Sequence, residues 1–71
     1  MDIKQIGNEV KNLRIERGLT RYKITKRTQI ANQVQVSIEQ GNKDYTLKTL
    51  LKLLKSYGKT LKIVDYENHT S

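Results

Sequence analysis

Residues 30–41, Ile30-Ala31-Asn32-Gln33-Val34-Gln35-Val36-Ser37-Ile38-Glu39-Gln40-Gly41, decide how the chain is read. Ile30, Val34 and Ile38 are four apart, which on a helix of about 3.6 residues per turn makes one apolar stripe. Gly41 follows where a left-handed residue commonly ends a helix. The other side carries Asn32, Gln33, Val36 and Ser37 in place of the Lys and Glu of an ordinary solvated face. Two amides, a hydroxyl and a valine suit a partner with hydrogen-bonding edges and methyl groups. The bland alternative is a polar face that meets only water.

The neighbouring segments carry the same punctuation. Gly18 follows Ile3, Ile6, Val10 and Leu13, and Gly58 follows Leu47, Leu50, Leu51 and Leu54, so both are helix stops. Thr20 stands at an N-cap position with Leu19 before it and Ile24 four residues on, the spacing of a hydrophobic staple; Thr46 repeats this with Tyr45 and Leu50. The spacing predicts helices over about 3–17, 20–28, 31–40 and 46–57. Beyond Gly58 the period changes. Thr60-Leu61-Lys62-Ile63-Val64-Asp65-Tyr66 is β-branched and partly alternating, which predicts a strand. A lone strand needs a neighbour, and the economical one is the same strand of a second copy, antiparallel across a two-fold axis and using Leu61, Ile63 and Val64. The competing reading is a disordered tail. The expected division is therefore a helical domain over 1–58, a dimerisation strand over 59–66 and a flexible tail over 67–71.

Composition narrows the function classes. A chain of 71 residues is one small domain, near the size at which a single core only just offsets chain entropy. It has no cysteine, which removes disulfides and thiolate metal sites and suits a reducing cytoplasm. No signal peptide or membrane-spanning stretch is legible, so the expectation is a cytoplasmic protein without membrane contact. With 14 Lys and Arg against 7 Asp and Glu the net charge is +7, which favours an anionic partner. Catalysis finds little footing. The single histidine, His69, falls in the expected tail, the acids are scattered, and Ser37, Ser56 and Ser71 have no neighbouring base, so no enzyme, metal or cofactor is expected.

Three segments together carry a resemblance: Ile6 to Thr20 (IGNEVKNLRIERGLT), Ile38 to Lys43 (IEQGNK) and Thr46 to Gly58 (TLKTLLKLLKSYG). They resemble the Cro/CI-type (XRE) helix-turn-helix family over most of residues 3–58. The resemblance implies an all-α, lambda-repressor-like bundle of four to five helices, here with the C-terminal strand added. It implies double-stranded DNA as partner, with the third helix in the major groove and Asn32, Gln33, Val36 and Ser37 facing base edges. The chemistry agrees, because amides match adenine N6 and N7 and a valine methyl packs on the thymine methyl, which suggests A·T-containing half-sites. Phosphate contacts would come from Arg21, Lys23, Lys26 and Arg27, and from Asn42 and Lys43 before the fourth helix. Family members typically pair the positions of Arg14 and Glu39. Physics points the same way, since a carboxylate in the last turn of a helix is unfavourable without a cation.

Several positions depart from that pattern. Thr28 stands where the family is apolar, Gln29 where the turn has glycine, Ala31 where a hydroxyl caps, and Gln35 where a core residue belongs. On the Ile30-Val34-Ile38 stripe, Val34 is the expected replacement for position 35 in the core. Asn32 can alternatively cap the third helix, with Gln35 completing a capping box, and would then not read a base. The short domain followed by Lys59 to Val64 also resembles HipB-type antitoxins, which implies an autoregulating repressor in a homodimer with a toxin as second partner. The alternative function is a protein-interaction module that neutralises a toxin or other partner, with DNA binding incidental. The Leu/Lys pattern of 47–55 also fits a membrane-surface helix, but without those leucines the domain has hardly any core.

Overall fold

The computed structural model describes residues 2–42 and 44–65. Asp2 opens it. Its carboxylate accepts from the Gln5 N–H at 2.8 Å while the Gln5 side chain accepts from the Asp2 N–H at 2.7 Å, a reciprocal cap that starts α1, Ile3–Glu16. Thr20 caps α2, Arg21–Thr28, by accepting from Lys23 N–H, and Thr46 caps α4, Leu47–Ser56, by accepting from Thr49 N–H. Between them lies α3, Asn32–Glu39, with Ala31 at its N-cap position and no side-chain cap. Gly18, Gly41 and Gly58 all have positive φ, at 63°, 78° and 72°, and stand directly after the C-caps of α1, α3 and α4.

The architecture is all-α, with four helices among the described residues. Val10 of α1, Ile24 of α2, Ile38 of α3 and Leu53 of α4 are fully buried at the centre, with Ile30, Leu50, Leu54 and Tyr57 around them. Leu19 and Tyr45, the residues before the Thr20 and Thr46 caps, pack against this core. Ile24 and Leu50, their partners at staple spacing, lie in it.

One expectation needs correction. Val34 does not replace Gln35 in the core: Gln35 is fully buried, and Val34 sits at the core's edge. An amide is tolerated there because it is met by acceptors. Its Nε2 donates to Thr25 Oγ1 at 2.8 Å, Ile30 O at 3.0 Å and Arg21 O at 3.2 Å, which offsets the cost of taking it out of water. The register of α3 is set by Gln35, Ile38 and Glu39, all buried at i, i+3 and i+4. The strand expected at the chain end is not formed by one copy alone. Residues 59–65 form neither helix nor strand within the single chain, because no second strand lies beside them to complete a ladder. Leu61, Ile63 and Val64 are exposed there. Tyr66, the last residue of the expected strand, and the expected tail 67–71 lie outside the described residues, as does Lys43.

Candidate nucleic-acid interface

The joint between α2 and α3 is made by side chains that look out of place in the sequence. Gln29 takes the left-handed conformation at φ 61°, where glycine would be free of strain, and its N–H donates to Thr25 O at 2.7 Å. Thr28, buried where an apolar residue was expected, spans the turn: its hydroxyl donates to Ile24 O at 2.8 Å and accepts from Ile30 N–H at 3.1 Å. Thr25 donates from Oγ1 to Ile30 O at 2.8 Å. Polar side chains thus close the short turn between α2 and α3.

The other end of α3 is held by charge. Arg14 Nε donates to Glu39 Oε2 at 2.8 Å and Nη2 to Oε1 at 3.1 Å, a two-pronged pair across α1 and α3. A third guanidinium bond runs from Arg14 Nη1 to Leu19 O at 3.1 Å, tying in the α1–α2 turn. The Glu39 side chain is only 2% exposed. Its hydrogen bonds raise the Arg14 pKa above its ordinary value, more than desolvation lowers it. Gly7 lets α1 approach α3 closely. A Cβ there would meet the main-chain carbonyl oxygens of Ile38 and Glu39. Beside this joint, burial pushes the Tyr57 phenol pKa up, while Arg17 donates to Tyr57 O at 3.2 Å and lies 5.4 Å from its ring.

So held, α3 leaves Asn32 and Gln33 exposed, with Val36 and Ser37 half-buried beside them. These four positions, i, i+1, i+4 and i+5, share one helix face. Asn32 is the first helical residue and not the cap, and Gln35 points inward, so the two form no capping box. The amide of Asn32 is therefore available to a partner.

The expected phosphate contacts divide. Lys23, Lys26 and Arg27 stand exposed along α2, and Asn42 is exposed after α3. Arg21 instead turns inward: its Nη2 donates to Glu39 Oε1 at 3.1 Å and one third of its side chain is exposed. It shares the buried carboxylate with Arg14 because Glu39 has acceptor capacity left after the two-pronged pair. One residue was not singled out from the sequence. Tyr22 is 66% exposed on α2 with the Lys26 ammonium 5.2 Å from its ring centroid, an i, i+4 cation–π pair at the edge of the cationic face. Its helical spacing from Lys26 was the available signal.

Among the described residues no group of three or more His, Cys, Asp or Glu gathers as metal ligands. Nor, among the described residues, is any helix long and apolar enough to cross a membrane. No family model matches the chain, nor does any curated protein or solved structure.

Proposed function

We propose that the chain is a sequence-specific, DNA-binding transcriptional repressor that acts as a homodimer on an inverted-repeat operator, and not an enzyme. One observation carries this reading. The outward side of α3 offers Asn32 and Gln33 to solvent while its two ends are locked by the Thr25–Thr28–Gln35 bonds and the Arg14–Glu39 pair. A helix held this firmly, with free amides on its open face, is suited to hydrogen bonding in a major groove, where amides match adenine edges. Lys23, Lys26 and Arg27 beside it supply positive charge for phosphates without reading sequence. In a two-fold dimer two copies of α3 spaced by one helical turn, about 34 Å, favour an inverted repeat.

The test is selection of bound duplexes from a random pool, followed by affinity measurements at several salt concentrations. Gln33→Ala is expected to change preference at one position by about 1–3 kcal/mol. Lys23→Ala is expected to weaken all sequences alike and to lower the salt slope by about 1. A pool that emerges unenriched would refute the reading.

A further inference from the structure

One side of α4 is left over once the core is built. Leu50, Leu53 and Leu54 of this helix are buried. On the other side Leu47 is 62% exposed and Leu51 38% exposed. At about 100° per residue, Leu47 and Leu51 stand about 40° apart, and Lys55, Lys48 and Lys52 follow at about 80°, 100° and 140° from Leu47. All three lysines are exposed. The outward side of α4 therefore carries two parallel rows, a short one of leucines and, beside it, one of ammonium groups spread over about 10 Å of helix.

No carboxylate answers these lysines. The helix carries no acid, and both ion pairs among the described residues use Glu39. Asp44, the acid nearest in sequence, lies before the helix and is exposed. Solvation alone accounts for the lysines but not for the leucines beside them, and leucines gain nothing against phosphates. The two rows together suit a partner that brings apolar side chains and carboxylates to one edge. A second copy of this chain offers no such edge. Its own α4 would set lysine against lysine, and the Glu9 and Glu16 of its α1 share their groove with Lys59. A lipid surface is also a poorer match, because an interfacial helix buries a broad apolar face and the remaining leucines of α4 are already in the core.

We infer that this face of α4 docks an acidic amphipathic helix of another protein. The apolar seam of the incoming helix packs on Leu47 and Leu51, while carboxylates about every three or four residues along one of its edges meet Lys48, Lys52 and Lys55. The division of labour is that of a two-helix coil, in which edge charges choose the partner and its orientation and the apolar seam supplies the contact. The inference goes beyond DNA recognition and does not depend on what α3 reads.

The experiment titrates the 71-residue chain into a fluorescent, covalently stapled helical peptide with a leucine seam and glutamates along one edge, and reads anisotropy at several salt concentrations. A peptide of the same composition, with leucines and glutamates interchanged so that the rows are broken, is the control. The first is expected to bind about tenfold more tightly than the second, or better. Leu47→Ala with Leu51→Ala is expected to weaken its binding by about tenfold, because the seam loses its apolar floor. Lys48→Glu with Lys52→Glu is expected to abolish binding of the glutamate peptide and to restore it to a matched peptide with lysines in place of the glutamates, a rescue that a purely structural role would not give. Cooperative thermal melting checks that each variant is folded. A segregated peptide that binds no better than the control, or not at all, overturns the proposal, as does a leucine pair that can be removed without loss. Tighter binding of phosphatidylglycerol vesicles through the same leucines would assign the face to lipid, and an equal loss of affinity for a DNA half-site in the leucine variant would assign it to DNA; either result also overturns it. None of these readouts requires that a DNA sequence be selected, so the two readings fail separately.

Discussion

Replacing Gly7 by alanine separates what helix propensity demands from what the packing demands. Gly7 lies inside α1, where alanine is favoured by about 0.8–1.0 kcal/mol on propensity alone. Propensity therefore expects a gain in stability. The packing opposes it, because the new Cβ meets the carbonyl oxygen of Glu39 at 2.9 Å and that of Ile38 closer still. Both obstacles are main chain, so neither can rotate away and α1 must shift from the end of α3. Overpacking of this kind costs about 1–3 kcal/mol, and against main chain the upper part of that range applies. The net effect is a loss of about 1–2 kcal/mol, and since each kcal/mol moves the midpoint by about 4–8 °C in a domain of this size, a fall on the order of 10 °C is expected. Thermal unfolding followed by circular dichroism, with urea titration as a second measure, reads the change. The same displacement strains the Arg14–Glu39 pair, so on the proposed function specific DNA affinity is expected to fall as well. A midpoint that rises, as propensity alone requires, would show that the α1–α3 contact is not where the structure has it.

Removing one cation from the buried carboxylate should be costly in a second, separable way. Arg14→Leu is expected to lose about 3 kcal/mol in urea unfolding, at the low end for a broken buried pair because Arg21 still holds one oxygen. Adding Glu39→Leu should recover part of that loss, and a double variant no more stable than the single one would refute the assignment. Gln35→Leu is expected to lose about 1–3 kcal/mol in urea unfolding, since it removes an amide whose two hydrogens are shared among three acceptors across the α2–α3 joint, offset in part by the loss of a buried acceptor, Oε1, that has no partner. An unchanged midpoint would mean that the amide does not hold the α2–α3 joint. Tyr57 sets an alkaline limit: its phenol pKa is raised by burial, so its contribution to stability is complete below the ordinary phenol pKa of about 10 and is lost as pH rises through the raised value. Unfolding midpoints that fall above that pH in the parent chain, and fall less in Tyr57→Phe, would confirm the sign.

The sequence by itself determined the four helices and their ends. Thr20, Thr46, Gly18, Gly41 and Gly58 act through local chemistry, a hydroxyl that reaches an N–H within one turn or a residue without Cβ at positive φ, and such effects need no distant partner. That Glu39, an acid at the end of a helix, calls for a cation was legible for a related reason, while Arg14 as its partner came with the family resemblance. Only the tertiary structure decided which side of α3 faces inward. The stripe of Ile30, Val34 and Ile38 and the pair Gln35 and Ile38 lie within a fraction of a turn of each other, and Gln35 won because Arg21, Thr25 and Ile30 place three acceptors around its amide. Acceptors contributed by another helix and by the turn beside it do not show in the period of α3. The same is true of Gly7, whose need to be glycine comes from carbonyl oxygens some thirty residues away. Arg21 reads as a free cation in the sequence and is claimed by Glu39 in the fold, because charge partners are chosen by distance in space and not along the chain.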